Sequence, residues 1–106
     1  MTTYNYQTDF KKIEDLENLY QKLECNKVGL SVEELKNMVM GSWFSLYVYD
    51  GLALIGTGRI ISDGIITGLI CGVGVLPSFQ NQGIGKEIVT RLIQECEKHK
   101  VYPQLM

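Results

Sequence analysis

Val73-Gly-Val-Leu-Pro-Ser-Phe-Gln-Asn-Gln-Gly-Ile-Gly-Lys86 is the stretch on which the reading of this chain turns. An apolar run ends, Pro77 turns the chain, and glycines at 83 and 85 open what reads as a helix. The first N–H groups of a helix have no internal partner, and its dipole favours negative charge there. Glycines let an anionic group come close to that backbone, and a diphosphate suits such a place. Lys86 adds a positive charge, and no Asp or Glu occurs from Gly64 to Lys86. The same residues also suit a glycine-rich turn that does no more than start a helix. Two familiar phosphate patterns fail. Position 80 is Gln where the P-loop needs glycine, and Glu87 stands where it needs Ser or Thr. Gly83-Ile-Gly85 is followed by Ile88 where a dinucleotide fingerprint has its third glycine.

Upstream of this stretch the chain is β-rich. Trp43–Tyr49, Leu52–Ser62 and Ile65–Leu76 are apolar runs separated by Asp50-Gly51 and Asp63-Gly64. Asp-Gly between such runs signals hairpins and predicts a three-stranded antiparallel meander. Further back, residues 3–8 alternate weakly and predict a first strand. Asp9 is the expected cap of a helix whose apolar positions are Ile13, Leu16, Leu19, Tyr20 and Leu23, broken by Asn26–Gly29. Ser31-Val-Glu-Glu34 reads as a capping box. It opens a short helix, with Gly41 at the C′ position. Downstream, Gly83–His99 carries the stripe Ile84, Ile88, Leu92 and Cys96, widened by Val89 and Ile93. Val101–Met106 predicts the start of another strand. The order is β-α-α-β-β-β-α-β, an α+β layout in which helices cover an antiparallel meander.

Composition bounds the rest. The 106 residues allow one domain, taken as 1–106. Hydrophobic residues are 45% and charged residues 21%, which excludes a wholly disordered chain. A net charge of −2 argues against bulk nucleic-acid binding. Cys25, Cys71 and Cys96 are widely spaced, odd in number and form no C-x-x-C. Neither a disulfide framework nor a metal site is expected, and reduced thiols suit a cytoplasmic protein. No signal peptide or membrane-spanning segment is read, so no membrane partner is expected.

The motif Val75-x-Pro77-x-x-Gln80-x-x-Gly83-Ile84-Gly85-Lys86 resembles the acetyl-CoA-binding motif of the GNAT superfamily of N-acetyltransferases. Gly58-Arg59-Ile-Ile-Ser-Asp63-Gly64 resembles the third strand and turn of a group of small bacterial members, and the element order matches along the whole chain. The resemblance implies a mixed sheet and acetyl-CoA as co-substrate. It places the pyrophosphate on Gln80, Asn81, Gln82, Gly83, Ile84, Gly85 and Lys86. It places the pantetheine arm, strand-like, along the backbone of Val73, Gly74 and Val75. A backbone N–H there would hold the thioester oxygen, and a primary amine, of a small molecule or a peptide, would attack the thioester directly.

The resemblance is incomplete. Family members usually continue past the motif helix with a splayed strand, a helix and two more strands, so this chain reads as lacking the C-terminal part. Tyr102 does not match the family's acid, and Ile70-Cys71-Gly72-Val73 has no carboxylate where many members keep a base. Catalytic residues therefore stay unassigned. Cys71 is expected as a small buried residue, Asp63 as a turn residue, and His99 at a helix end. Arg59 is expected as a cross-strand or surface charge, and Trp43 and Phe44 as packing. Residues 24–44 are candidates for an acceptor wall. The alternative function is an acyl-CoA-binding or interaction module without turnover. The apolar run Ile65–Val75 would have one bare edge, which predicts a homodimer, with strand exchange through Val101–Met106.

Overall fold

The computed structural model describes residues 4–23 and 31–105. Period-two alternation sets the layers. In β2 (Phe44–Asp50), Leu46 and Val48 point to one face of the sheet and Tyr47 and Tyr49 to the other, and all four are buried. A strand buried on both faces lies inside a three-layer arrangement.

The five strands are ordered in space as in sequence: β1 (Asn5–Gln7), β2, β3 (Ala53–Ser62), β4 (Thr67–Val75) and β5 (Tyr102–Leu105). The first four pair antiparallel, which is the expected meander plus the N-terminal strand. Gly51 takes φ +62° in the first hairpin. In the second, the Asp63 carboxylate accepts the N–H groups of Ile65 (2.8 Å) and Ile66 (3.2 Å), so Asp63 is the turn residue its sequence context suggested. Those two bonds hold its pKa below the usual carboxylate value.

Helices α1 (Ile13–Lys22) and α2 (Val32–Met40) bury Leu16, Leu19 and Leu35 against Tyr47, Tyr49 and Leu54. On the opposite face, α3 (Ile84–Lys98) lays Ile84, Ile88, Leu92 and Cys96 on Leu46, Val48, Ile55, Ile60 and Ile70. Each such aliphatic side chain contributes about 1.5–3 kcal/mol on burial. Trp43 and Phe44 pack against this second cluster, as expected.

Three expectations are corrected and one is narrowed. Asp9 does not cap α1. It is exposed, and residues 8–12 are spent crossing from β1 while Phe10 meets the Tyr47 ring edge-on at 5.6 Å. The helix starts after Lys12, whose N–H is accepted by the Asp15 carboxylate at 3.3 Å. Gly41 does cap α2, but at φ −81°, so no left-handed residue is used there. The Ser31 capping box is present, with Glu34 N–H on Ser31 Oγ at 3.1 Å. Arg59 is the cross-strand charge of the two expected alternatives, not a surface one. It lies half-buried over Gly72, where an added Cβ would be 3.1 Å from its Nε. Finally, the motif strand is not bare along its whole edge. β5 pairs parallel with Thr67–Ile70 (Thr67↔Tyr102 to Ile70↔Leu105), so the segment expected for strand exchange is used within the chain. Cys71–Val75 have no partner on that side among the described residues. The expected break at Asn26–Gly29, and Cys25, lie outside the described residues.

Candidate functional site

The site begins at an irregularity in β4. Thr57 pairs with Gly74 and Arg59 with Cys71, so Gly72 and Val73 together stand opposite Gly58 alone. This is a β-bulge, and Gly72 takes φ +64°, a conformation that disfavours any side chain. A bulge bends its strand and frees a residue from the ladder. β4 then ends where Leu76 N–H bonds to Ile55 O (2.9 Å).

A short 3₁₀ turn, Pro77–Phe79, leads into the loop. The Gln80 side-chain amide donates to Val75 O at 3.0 Å and ties the loop back to the strand. Asn81 (φ +66°) and Gly83 (φ +83°) complete the reversal. The first helical bond of α3 runs from Glu87 N–H to Gly83 O (3.0 Å), which leaves the N–H groups of Ile84, Gly85 and Lys86 without a helical partner. The residue just before β1 braces the loop from outside. Tyr4 meets the Phe79 ring edge-on at 6.0 Å and donates its hydroxyl hydrogen to Gln82 at 2.5 Å.

A cleft of about 500 Å³ opens against this helix start. It is lined by Val73, Gly74, Val75, Gln80, Asn81, Gly83, Ile84, Gly85 and Lys86. Gln82, expected with them, is turned away to Tyr4. Leu23 and Phe79 also line the cleft and were not expected. Nothing local in sequence marks Leu23, at the end of α1, as a neighbour of Gly74. An added Cβ on Gly74 would lie 2.7 Å from it.

The electrostatics favour an anion. Among the described residues, Lys86 is the ionisable side chain in the lining, and no carboxylate is part of it. Glu87, next in sequence, is held by Arg91 at 2.7 Å on the helix surface, and Arg91 in turn lies 4.2 Å over the Tyr6 ring. Of the other chemically interesting groups, Cys71 is buried and His99 pairs with Glu95 (2.9 Å) beside Trp43. Neither reaches the cleft lining.

Gly85 decides how the site is read. Its backbone is helical, and an added Cβ would meet only Val75 Cγ2, at an ordinary 3.8 Å. Neither backbone conformation nor packing asks for glycine, yet glycine weakens a helix by up to about 1 kcal/mol against alanine. Close approach of a ligand to the N–H groups would account for it.

The profile of the Acetyltransferase (GNAT) family matches residues 10–105, a span that holds this strand, loop and helix. The chain belongs to the GNAT acetyltransferase family. A GNAT-family acetyltransferase from Streptococcus pneumoniae is 30% identical and superposes with a TM-score of 0.72, covering 98% of this chain and 75% of that one. The chloroplastic GCN5-related N-acetyltransferase 3 of Arabidopsis thaliana is 43% identical over 49 residues. That match covers 46% of this chain and about a fifth (21%) of the plant protein. At 13% identity, the paia N-acetyltransferase of Thermoplasma acidophilum, solved in complex with coenzyme A, shares the fold with a TM-score of 0.76 over 93% of this chain and 75% of that one. The five-stranded mixed sheet is thus the GNAT fold, with its β4–β5 pair parallel and α3 as the crossover. Among the described residues of this GNAT chain, no helix is long and apolar enough to cross a membrane.

Proposed function

We propose that this chain binds acetyl-CoA in the cleft and transfers the acetyl group to a primary amine. Gly85 carries the reading, because a glycine without a structural reason stands where a pyrophosphate would rest. The N–H groups of Ile84, Gly85 and Lys86 would take the phosphate oxygens, with the helix dipole and the Lys86 ammonium adding attraction. Val73, Gly74 and Val75 would present strand edge to the pantetheine arm, and the bulge would free a backbone N–H for the thioester oxygen. Gln80 acts through the loop, since its amide is engaged by Val75 O. The coenzyme A in the Thermoplasma structure supports the choice of cofactor.

In the reaction, the amine nitrogen forms a C–N bond to the acetyl carbon and the C–S bond breaks. The products are an amide and the coenzyme A thiol, and the proton lost by the amine ends on the sulfur. Among the described residues, no carboxylate or histidine is in the cleft lining to take that proton. The same observation favours a second reading, a module that binds acyl-CoA without turnover. Calorimetry with acetyl-CoA, followed by thiol release over a panel of primary amines, separates the two. Turnover selects the transferase, binding alone selects the module, and no binding overturns both.

A further inference from the structure

We propose that a small cavity opening off the cleft holds a carboxylate on the acceptor amine, with Arg59 as its anchor. The proposal rests on the cleft being the acetyl-CoA site. It goes further by naming the chemical class of the acceptor.

Arg59 sits on β3 immediately beside the β4 bulge, and its side chain runs across Gly72. Glycine at 72 leaves the room it needs, since a Cβ would stand 3.1 Å from Nε. That Nε is buried and has no hydrogen-bond partner. One terminal nitrogen, Nη1, reaches Ser42 Oγ only at 3.5 Å, the outer limit of a hydrogen bond. Ser42 Oγ spends its own hydrogen on Met38 O (2.9 Å). Among the described residues no carboxylate lies within ion-pair distance of the guanidinium. This is unusual in an acidic chain with twelve Asp and Glu against ten Lys and Arg. A guanidinium stays charged at any working pH, and its planar fork matches a carboxylate with two parallel bonds. A half-buried guanidinium whose buried Nε–H lacks a partner is therefore arranged for an anion that the described residues do not supply.

The cavity around Arg59 has a volume of about 200 Å³. Tyr20, Leu23 and Met38 form its apolar side and the bulge Gly72–Gly74 its other side. Leu23, Val73 and Gly74 belong to both this cavity and the main cleft, so the two are neighbours across the bulge. A carboxylate seated on Arg59 leaves the rest of a small molecule directed along the bulge, toward the strand end assigned to the thioester. The volume suits a compact acceptor such as an amino acid.

The test uses the whole chain and two readouts. Arg59 and Arg91 are the two arginines, so the Nε–H region of a ¹⁵N spectrum holds two signals, and Arg91→Gln assigns them. Titration with 4-methylpentanoate is expected to shift the Arg59 Nε–H signal saturably. The neutral 4-methylpentanamide and isoamylamine should leave it in place. An Arg59 signal indifferent to the carboxylate overturns the proposal, whatever coenzyme A does. The second readout is acetylation of L-leucine against isoamylamine, and of L-phenylalanine against phenethylamine, with coenzyme A affinity measured alongside. A preference for the carboxylated member is expected, lost by about tenfold or more in Arg59→Gln through a higher KM, with coenzyme A affinity kept. A parallel loss of coenzyme A affinity would show that Arg59 holds a cofactor phosphate, and the proposal fails. Absence of coenzyme A binding in the unmodified chain overturns the cofactor reading alone, and the carboxylate titration still decides this one. Should Arg59→Gln not fold, Met38→Trp, which fills the cavity from α2, is expected to abolish the titration shift. An unchanged shift in that variant overturns the proposal.

Discussion

Replacing Gly85 by alanine should make the protein more stable and a poorer binder of coenzyme A. The new methyl meets only Val75 Cγ2, at 3.8 Å, so it costs no packing. Alanine in place of glycine in helical backbone contributes up to about 1 kcal/mol, less at a helix end. A gain of about 0.5–1 kcal/mol corresponds to a rise in Tm of roughly 2–8 °C for a domain of this size. Gly85 and Val75 both line the cleft, so the methyl is added to the lining next to the N–H groups. Lifting a phosphate off one such group removes a charge-assisted hydrogen bond of about 1.5–3 kcal/mol, or roughly ten- to a hundredfold in affinity. Gly83→Ala is the paired control. Its φ of +83° makes any side chain strained although no atom lies within 4 Å, so it should lose about 1–2 kcal/mol of stability. The two variants thus move stability in opposite directions and affinity in the same one. Urea midpoints and calorimetry with coenzyme A measure both. Gly85→Ala binding coenzyme A as tightly as the parent would refute the assignment of the phosphate to this helix start. Gly85→Glu, adding bulk and like charge to the same exposed edge, should bind no detectable coenzyme A while keeping its fold by circular dichroism.

Three further outcomes are expected. Gln80→Ala loses the bond to Val75 O and should cost about 1 kcal/mol of stability together with several-fold in coenzyme A affinity. An affinity loss beyond a hundredfold would mean that the side chain touches the cofactor itself. Lys86→Gln should weaken coenzyme A binding several-fold at low salt and little at high salt, because Lys86 is exposed and its charge is screened. A salt-independent loss would show a buried contact instead. Tyr49 is fully buried, and burial, aided by the Asp15 carboxylate that accepts its hydroxyl hydrogen at 2.9 Å, pushes its pKa from 10.0 up to about 12. A pKa raised on folding means that the contribution is whole below pH 10 and is lost as pH climbs through 12, an effect of about 3 kcal/mol. Denaturation between pH 9 and 12 should show this fall, and Tyr49→Phe should flatten it. Equal slopes in the two proteins would rule Tyr49 out as its source.

The family's acetyl-CoA motif was legible in the sequence because its residues are local. The N–H groups at a helix start, the glycines beside them and Lys86 follow one another along the chain, so spacing alone brings them together. The hairpins were legible for the same reason, Asp-Gly being a turn signal within two residues. The start of α1 was not. Asp9 is a good capping residue, but the ring contact between Phe10 and Tyr47 holds that stretch against the sheet and delays the helix to Ile13.

Periodicity and turn chemistry, acting over a few residues, were enough for the order of elements, the apolar stripe of α3 and the glycine-containing loop before it. Long-range packing and register set the β4 bulge, the brace of Tyr4 on the loop, the place of Leu23 beside Gly74, and the half-buried position of Arg59. Each of these depends on strand register or on packing between residues far apart in sequence. A one-residue change in the pairing of β3 with β4 would set Arg59 against a different part of the strand, and nothing in its neighbours along the chain records which pairing is used.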